Sequence, residues 1–178
     1  MNETDPVVRS AKRGDRHAFA TLVERLHPRA MRYAQHMVGN SEDAEEAVQD
    51  TFVRVYDNLA RFREDAAFDP WFFRILANRC RTLLAKRNRR YSVIEYGELP
   101  PHAATPASTS GEFAAEIQFV LAQLPSEQRE AFLLRHIEDM DYEDIAAVTG
   151  VGLSAVRMRV KRACDAMRTQ LNAVYLDV

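Results

Sequence analysis

Apolar residues recur along this chain at intervals of three and four, and no stretch alternates apolar and polar positions between turn residues. Every element the pattern predicts is therefore a helix. From Asp15, a residue suited to capping a helix, Phe19, Leu22, Val23 and Leu26 fall on one face. His27-Pro28 is expected to interrupt that helix before Ala30, Tyr33, Ala34 and Met37 resume the stripe. Gly39 suits a C-terminal cap. Ser41 is expected to cap the next helix, with Ala44, Val48, Phe52, Val55 and Leu59 inward. Its first turn holds Glu42 and Asp43, where the helix dipole favours negative charge. After a loop around Phe62–Phe68, Asp69-Pro70 reads as a cap followed by proline at the first helical position. A long helix runs from there toward Arg90.

The pattern stops at Tyr96. The stretch Tyr96–Gly111 is rich in Pro, Ser, Thr and Ala and has little to bury, so it reads as a flexible linker. It divides the chain into units 1–92 and 112–178, with 93–111 between. The second unit reads as four helices. The first carries Phe113, Ile117, Val120 and Leu121 and ends at Leu124-Pro125; Ser126 caps the second, which holds Phe132, Leu133 and Ile137. Asp141 caps a short third, and Thr149-Gly150-Val151-Gly152 makes a turn. The fourth starts near Ser154 with Val156, Val160, Ala163 and Met167 inward. The expected fold class is all-α, two small helical domains joined by a linker, the second a helix-turn-helix.

Composition narrows the function. With 178 residues, 47% of them hydrophobic and 28% charged, the chain can bury two small cores. No apolar run reaches bilayer-spanning length, and the polar, acidic N-terminus is not a signal peptide, so a cytoplasmic protein without membrane contact is expected. Cys80 and Cys164 stand far apart, with no CxxC. The five histidines lack metal-ligand spacing, and neither a phosphate-binding glycine loop nor a nucleophile motif is present. These features point away from metal sites, cofactors and enzymatic chemistry.

A net charge of −2 hides a strong asymmetry. Between Arg74 and Arg90 lie Arg74, Arg79, Arg81, Lys86, Arg87, Arg89 and Arg90 without one acidic residue. Arg157, Arg159, Lys161, Arg162 and Arg168 form a second basic stretch, broken by Asp165 alone. The second stretch lies on the last predicted helix, behind a short helix and a glycine turn. Ala146 lets the two helices approach closely, Gly150 can reverse the chain, and Ile145, Val151 and Val156 seal the corner. Arg157, Met158, Lys161, Arg162 and Arg168 then face away from the core, where arginine can pair with base edges in a major groove. A merely solvated basic face is the plainer reading of such a helix; the capped helix, small residue and glycine turn beside it favour DNA binding. The first stretch mixes arginines with Trp71, Phe72 and Phe73, and Phe62 and Phe68 precede it. Aromatic rings stack on unpaired bases while a basic track holds a strand, and the Asn78 amide can reach a base edge. Trp71, Phe72 and Ile75 suit a core better than a stacking platform, whereas Phe62, in a loop, is expected outside it.

Three stretches together resemble the extracytoplasmic-function (ECF) group of bacterial sigma factors. They are Asp43 through Tyr56; Phe62-Arg63 through Arg79; and Leu124 through Phe132, continuing into Tyr142–Ala146 and Val156–Ala163. The resemblance implies that Glu46, Gln49, Asp50, Phe52 and Tyr56 dock on the clamp helices of core RNA polymerase, the flap being a second polymerase contact. It implies that the loop from Phe62 and the helix with Asn78 melt the minus-10 element and hold a flipped non-template base, with Phe62, Trp71, Arg74, Asn78, Arg79, Lys86 and Arg87 facing the single strand. It implies that the last helix reads the minus-35 element through Ser154, Arg157, Met158, Arg159, Lys161 and Arg162. Promoter DNA and an anti-sigma factor are the other implied partners. Ser154-Ala155 and Met158 depart from Gly-Thr and Ser, which are common in the group, so base contacts by hydroxyls differ here. A free-standing helix-turn-helix regulator is the competing reading, and a protein-only adaptor leaves both basic faces unexplained.

Overall fold

The computed structural model describes residues 5–63, 66–94 and 112–176, the side chains of 91–94, 112–115 and 173–176 excepted. Among these residues the regular structure is helical: α1 (Pro6–Lys12), α2 (Arg16–Val38), α3 (Ser41–Asn58), a 3-10 turn (Leu59–Arg61), α4 (Phe68–Ile94), α5 (Glu112–Gln123), α6 (Ser126–His136), α7 (Tyr142–Thr149) and α8 (Leu153–Leu176). Most of the expected linker, 95–111, lies outside the described residues.

The first four helices form one bundle. α2 packs on α3, α3 on α4 and α1 on α2. Leu22, Leu26, Ala30, Tyr33, Ala34 and Met37 of α2 are buried, as are Phe72, Phe73, Leu76 and Ala77 of α4. Tyr33 meets Phe73 edge-on at 5.5 Å between centroids, a favoured geometry for aromatic pairs. α2 runs unbroken through Pro28, contrary to the expected interruption. An interior proline costs a helix about 3 kcal/mol. Here the buried residues on both sides of it, Leu26, Ala30 and Tyr33, lie on one face against the core and hold the helix through that cost. α1 had no counterpart in the expected elements. Asp5 caps it through the Val7 amide at 2.8 Å and pairs with Arg25, while Val8 and Ala11 are buried.

Cap positions shift by one residue in two places. Asn40, not Ser41, caps α3, accepting from the Asp43 amide at 2.7 Å. Pro125 precedes α6, and Ser126 is its first helical residue. α4 begins at Phe68, which puts Asp69 and Pro70 inside its first turn, where a missing amide hydrogen removes no helical bond.

The second bundle packs α6 on α8, α7 on α8 and α5 on α8. Asp141 caps α7 through the Asp144 amide, and Gly150 ends it at φ +74°, the left-handed conformation that the helix-turn-helix corner requires. Ile145, Val156, Val160 and Ala163 are buried behind the corner. The two bundles touch: α4 packs on α7, and α2 on α5 and α6.

Candidate nucleic-acid and polymerase interfaces

α3 and α4 run side by side and leave a cavity of about 430 Å³ between them. Arg54, Asn58 and Arg61 line one wall from α3 and the 3-10 turn; Trp71, Ile75, Asn78, Arg79 and Thr82 line the other from α4. The spacing explains the convergence. Residues 54, 58 and 61 follow one helical face, and so do 71, 75, 78 and 82. Apolar surface comes from Trp71 and Ile75; the amides and guanidiniums supply hydrogen-bond donors around it. A flat heterocycle with an acceptor-bearing edge suits such a cavity. Of its lining residues, Trp71, Asn78 and Arg79 were expected from the sequence. Arg54, Asn58, Arg61, Ile75 and Thr82 were not, although the i, i+4, i+7 spacing across Arg54, Asn58 and Arg61 carried the signal.

Phe62 does not stand outside the core. It is 3% exposed and packs on Phe68 at 5.3 Å and on Trp71 at 5.0 Å. The three rings pack against one another at the start of α4, and Trp71, half-buried, alone among them lines the cavity. Phe62 is thus placed to position Trp71 rather than to meet a strand itself. Arg74, Asn78 and Lys86 are exposed. Arg79 and Arg87 are tied down. Arg79 Nη2 bridges Glu46 at 2.7 Å and Asp50 at 2.8 Å. Arg87 Nη1 donates to the Val38 carbonyl at 2.6 Å and lies 3.8 Å from Asp43.

The α3 face predicted to dock on polymerase divides the same way. Glu46 and Gln49 are exposed, Asp50 is half-buried, and Glu46 and Asp50 are bound to Arg79. Tyr56 is 54% exposed and meets Phe19 edge-on, beside Val53 at 60%. Phe52 is half-buried, stacked on His27 and tilted against Phe72, so it supports the face from below.

On α8 the predicted reader is open. Ser154, Arg157, Met158, Lys161 and Arg162 are exposed, Met158 by 47%. Arg157 lies over the Tyr142 ring at 5.6 Å, a cation–π contact that aims the guanidinium without neutralising it. Arg159 is half-buried and paired with Glu127 of α6 at 2.8 Å, so it braces the helix. The cysteines are poorly placed for thiolate chemistry. Burial pushes the Cys80 thiol up to about 12, and it also raises Cys164, which lies 3.4 Å from His136 Nε2. Among the described residues no group of three or more His, Cys, Asp and Glu is placed to hold a metal ion, and no helix is long and apolar enough to cross a membrane.

Comparison with known proteins places these surfaces in a family. Residues 22–90 match Sigma-70 region 2, and residues 114–167 match Sigma-70, region 4. The chain is 30% identical to the RNA polymerase sigma-H factor of Pseudomonas aeruginosa, over 99% of this chain and 98% of that one. It is 26% identical to the ECF RNA polymerase sigma factor SigW of Bacillus subtilis, over 92% and 94%. Among solved structures it resembles the sigma factor RpoE of Bartonella quintana, determined with the anti-sigma factor NepR, with a TM-score of 0.76, 25% identity, and 86% and 96% of the two chains covered. It also resembles CnrH, determined with the cytosolic domain of CnrY, with a TM-score of 0.72, 29% identity, and 94% and 96% covered. With both regions matched in order and full-length relatives at this identity, the chain belongs to the ECF-type sigma factors of bacterial RNA polymerase.

Proposed function

We propose that the α3–α4 cavity captures a flipped base of the minus-10 element while α8 reads the minus-35 element in the major groove. The observation that carries this reading is the cavity itself, a donor-rich slot with Trp71 and Ile75 as apolar surface and Asn78 on its exposed side. Flipping a base costs a few kcal/mol of unstacking, and stacking on an aromatic ring returns about 1–3 kcal/mol per base. Asn78 and the Arg54 and Arg61 guanidiniums supply hydrogen bonds to the base edge or its phosphate. Arg157, Lys161 and Arg162 address the upstream duplex, and the exposed Met158 offers an apolar contact to a thymine methyl.

As a sigma factor the chain lends promoter recognition to core polymerase. Its docking face is the exposed side of α3, Glu46, Gln49, Asp50 and Tyr56, set against the clamp helices, with the second domain on the flap. The domains are 1–92 and 112–178, and 93–111 join them. The chain performs no bond chemistry of its own and acts in the cytoplasm. An anti-sigma factor is its regulatory partner; both solved relatives named above were determined with one or with a cytosolic partner domain. A free-standing helix-turn-helix regulator accounts for α7 and α8 but leaves the region 2 domain and its cavity without a role.

The test is transcription from fragmented genomic DNA with purified chain and sigma-free core. Discrete starts that depend on the chain and share two upstream motifs at fixed spacing are expected. Starts that do not depend on it, with no binding to core, would contradict the assignment.

A further inference from the structure

Tyr142 is the first residue of α7, and guanidiniums from both neighbouring helices meet its ring. The guanidinium carbon of Arg135, in the last turn of α6, lies 5.4 Å from the ring centroid, and that of Arg157 on α8 lies 5.6 Å from it. The ring itself is firmly seated. It is half-buried and packs against the apolar core, and Asp141 just before it caps α7 through the Asp144 amide at 2.7 Å.

The two guanidiniums are held differently. Arg135 Nη1 donates to the Met140 carbonyl at 2.8 Å and lies 3.8 Å from Asp139. Met140 is buried, and the turn that carries both partners passes through Asp139 at φ +52°, a left-handed conformation uncommon for a residue other than glycine. Arg135 is thus a fixed cation beside the ring. Arg157 is exposed and rests on the ring.

A free arginine samples many rotamers, and most of them do not point into a groove. The negative face of an aromatic ring attracts a guanidinium yet leaves its donor edge open, whereas a carboxylate partner occupies that edge. Arg159, two residues on, shows the second case, with its Nη2 on Glu127 at 2.8 Å. The fixed charge of Arg135 repels a second guanidinium, so Arg157 settles on the part of the ring that Arg135 leaves. Attraction from the ring and repulsion from Arg135 together restrict Arg157 before any DNA arrives. A donor already held in place loses less freedom on binding.

We propose that Tyr142 is a positioning residue for the minus-35 reader: it holds Arg157 ready for a base edge while touching no DNA itself, and Arg135 narrows the hold. This rests on the reading of α8 given above. Tyr142 thereby sets how sharply the chain discriminates between upstream elements, although it stands on the helix before the reader.

The experiment compares binding of holoenzyme to its promoter and to one changed at the base pair where Arg157→Ala loses discrimination. Tyr142→Leu keeps the apolar packing and removes the aromatic face; Tyr142→Phe keeps that face. Tyr142→Leu should lower discrimination at that base pair about twofold to fivefold. Tyr142→Phe should retain it, and Tyr142→Leu should add nothing in an Arg157→Ala background. A second measurement needs no variant: in the NMR spectrum of the full chain the Arg157 side-chain protons should lie upfield of those of Arg162, because they sit over a ring. Unshifted Arg157 protons overturn the proposal whether or not Tyr142→Leu folds. An equal loss from Tyr142→Phe also overturns it, since the hydroxyl would then be a direct DNA contact. So does a loss from Tyr142→Leu that is the same at both promoters and persists without Arg157, the mark of a merely structural residue. Arg157→Ala without effect on discrimination at any upstream base pair overturns the reading of α8 itself, and the role of Tyr142 in recognition falls with it, while the NMR shift still reports the ring contact.

Discussion

On α4 several arginines point back into the protein. Arg79 bridges two carboxylates of α3, Arg81 meets Glu130 and the Val148 carbonyl, and Arg87 bonds the Val38 carbonyl. On α8 the exposed arginines and lysine stay on the surface. Arg157 and Arg162 are exposed, Lys161 lies 3.8 Å from Asp165 of its own helix, and Arg159 is drawn across to Glu127. Two stretches of similar charge density thus do different work. The charge on α4 fastens helices to one another around a cavity whose apolar surface and amides are the candidate contacts. The charge on α8 is left to the solvent, as a major-groove reader needs. Charge density in a sequence marks where positive residues are, and packing decides which of them face a nucleic acid.

The largest effect expected from this contrast is on α8. Each base-edge arginine contributes about 1–3 kcal/mol of discrimination, so replacing Arg157 and Arg162 by alanine together should cost on the order of a hundredfold in upstream-element recognition. Binding of the holoenzyme to promoters with and without that element reads the loss, and thermal stability should hardly change because both residues are exposed. Asn78→Ala comes next. Losing one hydrogen bond of about 0.5–1.5 kcal/mol should slow open-complex formation roughly threefold to tenfold, with binding to closed duplex unaffected. Permanganate reactivity of the melted strand measures it.

Arg79→Ala sharpens the comparison from the other side. Its pairs are partly exposed, so a stability loss of about 1 kcal/mol is expected, with less effect on promoter affinity than at Arg157. A loss of affinity as large as that of Arg157→Ala, without a change in melting, would erase the distinction between the helices. The smallest expected effect concerns Glu130. Burial, ahead of the pull of Arg81, Arg159 and Tyr33, holds its carboxyl above the usual range, and the Cys80 thiol also faces it. A raised folded-state pKa means stability that is present in acid and lost as pH rises through the raised value. Melting of wild type should therefore fall behind Glu130→Gln as pH rises, and the gap should close on acidification.

Much of this was legible in the chain. The inward residues of α8 were read from spacing alone, since Val156, Val160, Ala163 and Met167 follow an uninterrupted helical period. The corner at Gly150 was legible because its backbone conformation favours glycine. Pro28 misled because helix propensity is local, whereas the residues that keep α2 continuous are packed against other helices. Phe62 misled because a loop position says nothing about two aromatic partners six and nine residues away. One wall of the cavity was missed because Arg54, Asn58 and Arg61 belong to α3 and the 3-10 turn that follows it, where the acidic residues of α3 drew attention to the other face. The charged pairs between the bundles were illegible because they join residues such as Arg29 and Glu138, separated by more than a hundred positions.

The central claim is that one chain carries two separate promoter readers, and photocrosslinking tests it most directly. A benzophenone amino acid is placed at Ile75, in the cavity, or at Leu153, at the start of α8, in holoenzyme assembled on a mapped promoter. The account predicts that Ile75 captures the non-template strand near the start site. Leu153 should capture duplex farther upstream, at a fixed spacing from it, and both captures should require core polymerase. Capture of the same DNA segment from both positions, or capture without polymerase, would contradict it.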